Sequence, residues 1–406
     1  MTASSALRAD RASATPAHIV QSDAEALEIV SRLAAEFRKG AQERDQNRIL
    51  PAAEIEELTR NGIFGVAVPK EFGGAGVSAR TIADIFRILS DADPSIGQIP
   101  QNHFCWLPLF SNGTPEQEAF FYGRILAGDR IGNAHSEDTR KRPGDYEHKL
   151  ARVPGGWRIT GRKYYSTGAI FAQWIPFIGQ DEQNNQLMFF VDASSDGVTV
   201  VNDWRGMGQR TTASGTTIFD DVFVPDANVF PFASDKPSNR GRMLLASLIH
   251  AAIDQGIAEA TLADAKHYIL NHNRPWIDNP YEEHAREPFV VKEFGELAVA
   301  VRTAGISLRH AADLVDVAHS TRTESDVLEA RLAIADARLN CGAAATRVAD
   351  QFFLLTGARA TLEKYGLDRH WRNARTHSLH DPFRWKLYHL GNYHLNGVVP
   401  GPRSYI

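Results

Sequence analysis

Residues 369–382 of this chain read RHWRNARTHSLHDP, and this stretch decides how the rest of the sequence is interpreted. It contains three arginines and three histidines, interleaved with Trp371 and Leu379. Arginine guanidinium groups bind phosphate and carboxylate groups in a fork, and histidines exchange protons near neutral pH. A solvated basic helix end, which the helix dipole favours, would have the same composition. The stretch alone leaves both interpretations open.

Composition limits the kinds of partner. The chain has 406 residues, of which 43% are hydrophobic and 23% charged, and a formal net charge of −5. These values are typical of a globular protein of two or three domains and do not favour nucleic acid as a partner. No run of about 18 apolar residues predicts a membrane helix. Cys105 and Cys341 lie far apart in apolar surroundings and predict neither a disulfide framework nor a zinc site, so the cytoplasm is the expected location.

Hydrophobic periodicity divides the chain into a helical, a β and a second helical part. A loose tail over residues 1–21 precedes a helical domain over residues 22–130. From 131 to 235, short runs of β-branched residues predict antiparallel strands, with a hairpin turn at residues 154–156. Residues 236–406 return to long helices that predict a four-helix bundle whose last member holds residues 369–382. The predicted class is α+β, with the strands closed into a small antiparallel barrel.

Five motifs follow one another in the order found in the acyl-CoA dehydrogenase superfamily. They are PKEFGGAG at 69–76, WRITGRK at 157–163, the segment from GMG at 206–208 to Phe219, VFVP at 222–225 and RNAR at 372–375. The chain resembles that superfamily from about residue 22 onward. The resemblance implies the acyl-CoA dehydrogenase-like fold, with an N-terminal helical domain, a middle β-barrel domain and a C-terminal four-helix bundle.

Two segments depart from the dehydrogenase pattern. The glutamate that removes the substrate α-proton in the dehydrogenases is missing after RNAR, where this chain has His377 to Asp381. The TEP segment of the middle domain is replaced by GNAHSE at 132–137. These segments, together with NDW at 202–204, are similar to those of the flavin-dependent monooxygenase branch, in particular the dibenzothiophene monooxygenases of desulfurization and sulfur metabolism.

Membership of that branch would imply a two-component monooxygenase. In such enzymes a separate NAD(P)H-dependent flavin reductase supplies FMNH2, with FADH2 as the alternative, and oxygen converts it to a C4a-hydroperoxide. The distal oxygen then passes to a soft nucleophile, here a small organosulfur or other heteroatom compound. This chemistry needs a phosphate anchor, a dry pocket and hydrogen-bond donors.

The resemblance also assigns cofactor-binding residues. Arg274 corresponds to an arginine that reaches the flavin of a neighbouring subunit, which implies a homotetramer. The other expected flavin contacts, in the β-domain and on the opening stretch, are Asn133, Ser136, Ser166, Thr167, Trp204, Ser214, Arg372 and Asn373. A surface ion pair is the alternative for each arginine.

The expected catalytic residues are His103, Asn133, Thr167 and His380. Hydroxyl and amide groups can donate hydrogen bonds to the flavin, and His380 stands where the dehydrogenases keep their base. His103 lies among apolar residues, where a histidine is more often a satisfied core residue. His377 and His380 have the spacing of half a metal site, but no second such motif is present, so no metal is predicted.

Two other functions stay open from the sequence. An acyl-CoA dehydrogenase with a relocated base would hold FAD tightly, and that FAD would bleach with an acyl-CoA in the absence of oxygen. A helical binding protein without catalysis would bind no flavin. The arginine and asparagine positions of the opening stretch favour the monooxygenase over the binding protein.

Overall fold

A computed structural model describes residues 17–137, 148–183, 185–232, 241 and 243–401. Within these residues, helices come first, strands follow and helices end the chain, as the resemblance implies. The predicted boundary between residues 130 and 131 lies between the last N-terminal helix and the first strand. The predicted boundary at residue 235 and most of the predicted tail lie outside the described residues.

Four of the six α-helices described in the N-terminal part begin with a side-chain cap. The Ser22 side chain accepts a hydrogen bond from the Glu25 N–H at 3.2 Å, and Thr114 forms a complete capping box with Gln117. Such caps satisfy backbone donors that a helix start leaves unpaired, and they fix where each helix begins. The helices are α1 (Asp23–Asn47), α2 (Ala52–Arg60), α3 (Ala79–Ala92), α4 (Pro94–Gln98), α5 (Gln101–Trp106) and α6 (Pro115–Leu126).

The middle part contains two antiparallel sheets. The strands are β1 (Lys149–Val153), β2 (Gly156–Lys163), β3 (Trp174–Gln180), β4 (Gln186–Asp192), β5 (Val198–Val201), β6 (Thr216–Pro225) and β7 (Val229–Pro231). One sheet has the order β1-β2-β6-β5 and the other β3-β4-β7. Gly155 has a φ of +80° between β1 and β2, which confirms the predicted hairpin. No strand pairing joins the two sheets within the described ranges, so the predicted closed barrel is not shown.

The C-terminal part contains three long helices and two shorter ones over the described residues. They are α7 (Leu244–His272), α8 (Pro288–Thr321), α9 (Glu324–Thr356), α10 (Asp368–His377) and α11 (Phe383–Asn396). α7 is buried by α3, α8 and α9, and Gly256 allows the close approach of α3, because a Cβ there would collide with the Arg87 carbonyl oxygen. None of the described helices is long and apolar enough to span a bilayer.

One hydrophobic core connects the three parts. It runs from the N-terminal helices into α7, α8 and α9, and it includes Phe190 and Phe230 from the second sheet. A smaller core lies between the two sheets, where the Phe177 and Phe219 rings meet at 5.0 Å. The loops that carry polar side chains therefore rest on closely packed elements.

Candidate active site

The loop after β2 carries the first group of polar side chains. Tyr165 has a left-handed backbone with a φ of +53° and an exposed ring. Ser166 and Thr167 follow it and are buried, and the Ser166 N–H donates to the Gly215 carbonyl oxygen at 2.9 Å. Thr167 Oγ1 lies 2.7 Å from Ser214 Oγ. Ser166 Oγ is buried and has no hydrogen-bond partner among the described residues.

The segment around Asn133 runs beside this loop. Asn133 Nδ2 donates to the Tyr165 carbonyl oxygen at 3.0 Å, whereas its Oδ1 is buried without a partner in the described part of the chain. The Ser136 carbonyl oxygen accepts a hydrogen bond from the Tyr164 N–H at 2.8 Å, and the Ser136 residue is exposed. The structure therefore brings Asn133, Ser166, Thr167 and Ser214 together.

Two of these side chains fit the edge of a flavin ring. A buried polar atom without a partner costs ~1–3 kcal/mol, so it needs an explanation, and a bound ligand that supplies the partner is one. Asn133 Oδ1 can accept a hydrogen bond and Ser166 Oγ can donate or accept one. A flavin ring edge presents N–H and C=O groups side by side, and these two orphaned atoms are of the chemical types that can bond such groups.

The loop between β5 and β6 contacts α10. Trp204 Nε1 donates to the Gln209 carbonyl oxygen at 2.8 Å, and the Gln209 N–H donates to Asn373 Oδ1 at 2.6 Å. Gly208 permits this contact, because a Cβ there would collide with the Arg372 carbonyl oxygen. Trp204 also meets the Tyr165 ring edge to face at 6.2 Å. Trp204 and Asn373 therefore fix the loop that lies next to the polar group.

The two predicted flavin arginines have different surroundings. Arg372 is held by Asp45 at 2.5 Å and by Asp368 at 2.7 Å. The pair with Asp45 attaches α10 to α1, whereas the pair with Asp368 lies within α10. The geometry therefore favours a structural role for Arg372 over the predicted flavin contact. Arg274 is exposed in the connection between α7 and α8.

His103 is fully buried in the core. Its Nε2 lies 2.8 Å from the Phe64 carbonyl oxygen, and its Nδ1 accepts from the Ile131 N–H at 3.0 Å. Burial lowers the pKa of His103 to about 3, despite the hydrogen bond to Phe64. Since both ring nitrogens are engaged by the backbone, the geometry favours a structural role over the predicted role in proton transfer.

His380 lies in the turn between α10 and α11, and half of its side chain is exposed. Its ring lies against that of His250, with 3.9 Å between the centroids and 38° between the ring planes. The neighbouring Asp381 accepts from Lys386 at 2.8 Å and from Arg338 at 3.1 Å. Burial by itself would raise the pKa of Asp381, but His380 and the charges of Arg338 and Lys386 hold this pKa far below its usual range. Asp381 is therefore a poor base.

A buried chain of polar groups lies behind His380. His377 Nε2 lies 3.1 Å from His250 Nδ1, and His377 Nδ1 lies 2.5 Å from Asp254 Oδ1. The other carboxylate oxygen of Asp254 binds Arg338. Burial lowers the pKa values of His250 and His377 well below their ordinary value, so both rings are neutral at neutral pH.

His250, Asp254 and Arg338 were not among the residues predicted from the sequence. His250 and Asp254 are polar residues four positions apart on α7, in a segment whose other residues are mostly apolar. That spacing places both on one face of a helix, and a polar pair on a buried face is a usable signal. Their pairing with His377, more than 120 positions away, is visible only in the fold.

Family models match two regions of the chain. Residues 24–129 match the N-terminal domain of acyl-CoA dehydrogenase, and residues 248–385 match its C-terminal domain. The chain is also 31% identical over 403 residues to a dibenzothiophene monooxygenase of Rhodococcus qingshengii, covering 94% of this chain and 95% of that protein.

Two solved structures are similar over nearly their whole length. FMN-bound TdsC from Paenibacillus sp. A11-2 has a TM-score of 0.88 at 27% identity, covering 94% of this chain and 100% of TdsC. Methanesulfinate monooxygenase MsuC from Pseudomonas fluorescens has a TM-score of 0.87 at 29% identity, covering 94% of this chain and 99% of MsuC. Each of these proteins shares the arrangement of helical and β parts described above.

Proposed function

This chain belongs to the acyl-CoA dehydrogenase family, and on that basis we propose that it works as a two-component monooxygenase on a small organosulfur compound. It is an FMN-dependent oxidoreductase that takes reduced FMN from a separate NAD(P)H-dependent flavin reductase. The observation that carries this function is the end-to-end similarity to a dibenzothiophene monooxygenase and a methanesulfinate monooxygenase, both named for organosulfur compounds. The arrangement around Asp381 supports it independently.

Asp381 distinguishes this chemistry from dehydrogenation. A dehydrogenase needs a carboxylate with a free lone pair to remove a carbon-bound proton. Asp381 is the carboxylate in the turn after RNAR, and its two oxygens are engaged by Arg338 and Lys386. Its lowered pKa makes it a weak base, so the alternative acyl-CoA dehydrogenase activity is not supported.

The polar group of the β-domain suits the cofactor. Bound as FMNH2, the cofactor supplies two electrons to dioxygen, so that one oxygen atom enters the substrate and the other leaves as water. Asn133 and Ser166 would hold the flavin edge through their orphaned oxygens. Thr167 and Ser214 would support them through their mutual hydrogen bond, and Trp204 would close the pocket against water.

His380 is the proposed proton-transfer group. Its side chain is half exposed, its Nδ1 lies 3.7 Å from Asp381 Oδ1, and its ring rests on the neutral ring of His250. For His103 we propose a supporting role, in which it fixes the segment that leads to Asn133 through the Ile131 N–H.

Exposed apolar side chains support a homotetramer. Val299, Ile306 and Val317 are exposed on α8 at intervals of seven and eleven residues, which places them on one face of the helix. Further exposed large apolar residues toward the C-terminal end are Leu354, Trp385, Leu387, Tyr388 and Leu395. Such surfaces mark protein interfaces, and we propose that a second copy covers this face and brings Arg274 to its neighbour's flavin.

The cytoplasm is the proposed location. Cys105 and Cys341 are free and buried, which suits a reducing compartment. The proposed reductase and its nicotinamide cofactor also operate there.

Stopped-flow mixing tests the function. Photoreduced FMN bound to the protein is mixed with oxygen, and reoxidation is followed by absorbance with dibenzothiophene or methanesulfinate present. We expect slow reoxidation and an oxygenated sulfur product that contains one atom of labelled dioxygen. Reoxidation as fast as in buffer, without product, would refute the monooxygenase. Anaerobic addition of an acyl-CoA to the FAD-loaded protein tests the dehydrogenase, and unchanged flavin absorbance is the expected result.

Matched variants locate the site. Thr167→Val should lower the yield of oxygenated product, because it removes the hydroxyl that bonds Ser214. Thr346→Val is the control, since the Thr346 hydroxyl bonds only helix backbone on α9 in the described structure. Equal yields from the two variants would remove the proposed role of Thr167.

A further inference from the structure

The polar groups behind His380 form one connected chain that lies outside the proposed flavin contacts. His250 and Asp254 project from the same face of α7, and His377 at the end of α10 bridges them. All three side chains are fully or almost fully buried. The chain of contacts ends at the half-exposed ring of His380. It therefore links the bundle interior to the active-site turn.

The bonding partners fix the tautomer of each ring. A carboxylate only accepts hydrogen bonds, so His377 Nδ1 carries the hydrogen that points at Asp254 Oδ1. A neutral His377 then has a lone pair on Nε2, which must accept from His250 Nδ1. A neutral His250 therefore has a bare Nε2. All hydrogens along the chain point toward Asp254, and the free end is ready to accept a proton.

We propose that Asp254, His377 and His250 form a proton relay that takes up a proton from the active site and stores it on His377. The relay rests on the proposed monooxygenase, whose chemistry moves protons as the second oxygen atom leaves as water. A proton that arrives at His250 Nε2, from His380 or through a bridging water, releases the Nδ1 proton to His377 Nε2. His250 is left neutral in its other tautomer, and His377 becomes an imidazolium against the Asp254 carboxylate. Only N–H bonds form and break.

The surrounding charges balance one another before a proton arrives. Arg338 pairs with both Asp254 and Asp381, and Lys386 pairs with Asp381. Two cations and two carboxylates balance, so a stored proton is the net charge of the cluster. Burial raises the pKa of the Cys341 thiol to about 12, so that group stays neutral.

Storing the proton on His377 also protects the function of His380. The centroids of the His250 and His380 rings are 3.9 Å apart, so a charged His250 would disfavour a proton on His380. Moving the charge one ring inward places it beside Asp254 instead. His250 and His377 are thus positioning residues, since they act on the reaction through His380.

Ring-nitrogen NMR of the full-length, flavin-free protein reads the tautomers directly. We expect a protonated Nδ1 and a bare Nε2 at both His377 and His250. Asp254→Asn replaces the carboxylate by an amide that can donate, so the Nδ1 proton should be lost at His377 and, one ring further, at His250. His319→Gln is the matched control, because His319 bonds a backbone carbonyl in the same group of helices, and it should change neither tautomer.

Asp254→Asn leaves Arg338 without one of its carboxylates, so this variant could fail to fold. A second variant tests the relay in that case. His377→Gln interrupts the chain without removing a charge and should free His250 from its fixed tautomer. In the flavin-loaded enzyme, His377→Gln should lower kcat by about 100-fold. The KM for the sulfur substrate should stay within about twofold, because the relay does not touch it.

Each outcome decides one claim. Wild-type rings in the opposite tautomer, or a His250 tautomer that ignores changes at Asp254 and His377, would refute the relay whether or not flavin binds. Tautomers as expected with wild-type turnover in His377→Gln would refute the storage of a reaction proton. If the wild-type protein oxygenates no sulfur compound while the tautomers are coupled, the proposed function fails and the storage role fails with it, but the connected chain stands.

Discussion

Replacing Ser166 by alanine should make the flavin-free protein more stable and the flavin complex weaker. Ser166 Oγ is fully buried and has no hydrogen-bond partner in the described structure. Folding therefore removes this hydroxyl from water without compensation, and the serine is retained at a cost. The opposite signs of the two effects follow from a hydroxyl that is satisfied only when flavin is bound.

The magnitudes follow from the burial. An unpaired buried hydroxyl costs ~1–3 kcal/mol, and the small cavity left by alanine offsets part of the gain, so we expect a net stabilisation of about 1 kcal/mol. For a chain of this length that corresponds to a rise of about 1 °C in Tm. Loss of one neutral hydrogen bond to the flavin should raise the Kd for FMN roughly fivefold.

Urea unfolding of the flavin-free protein measures the first effect, and FMN fluorescence titration measures the second. Ser90→Ala is the matched control, because Ser90 Oγ is also buried without a partner but lies on α3, against Gly97 and Gly256. It should stabilise the protein by a similar amount and leave FMN binding unchanged.

Two results would refute the reasoning. If Ser166→Ala lowers the free energy of unfolding of the flavin-free protein, its hydroxyl already has a partner there. If the Ser166→Ala variant is more stable but binds FMN as tightly as the wild type, the orphaned hydroxyl does not face the flavin. The proposed role of Asn133 then loses support as well.

Three further outcomes are expected. Gly208→Ala should lower the free energy of unfolding by ~1–3 kcal/mol, measured by urea titration, because its Cβ collides with the Arg372 carbonyl oxygen; a neutral effect would contradict the close approach. Burial lowers the pKa of His103 from 6.5 to about 3. At pH values between these two, His103 is protonated in the unfolded chain and neutral in the folded protein, so the free energy of unfolding falls as the pH is lowered from 6.5 toward 3. His103→Gln should flatten this acid limb in a plot of urea midpoint against pH, and an unchanged slope would show that His103 is not its source. Ile306→Glu should reduce the assembly size measured by sedimentation velocity, because it places a charge in the proposed interface; an unchanged sedimentation coefficient would place the interface elsewhere.

The fold class was predictable because local signals and the order of the motifs agree. Thr114 and Gln117 have the three-residue spacing of a capping box, and the structure forms both hydrogen bonds of the box. Gly155 predicted a hairpin because a turn with positive φ favours glycine. Whether the strands close into a barrel was not predictable in this way, because pairing between sheets depends on residues far apart in sequence; the described residues form two sheets without such pairing.

The bonding partners of individual site residues were harder to predict from the sequence. The charge of Arg372 suggested an anion, but the nearest anion proved to be Asp45, which comes from α1 at the other end of the chain. His103 lies in an apolar segment, and only the fold shows that backbone groups engage both of its nitrogens. Sequence patterns identify which residues are chemically capable, whereas the fold decides which of them are already engaged.

The balance of charge around Arg338 constrains how this protein can diverge. Removing any one of Arg338, Asp254, Asp381 and Lys386 leaves a buried charge uncompensated, at a cost of ~3–5 kcal/mol. That cost is a large part of the stability of most proteins, so a lineage would rarely survive such a step alone. Substitutions here should therefore appear as coupled pairs. Laboratory evolution that accepts one change per round should therefore recover few substitutions at these four positions. Libraries that vary two of the positions together should recover more, because a paired change can keep the charges balanced.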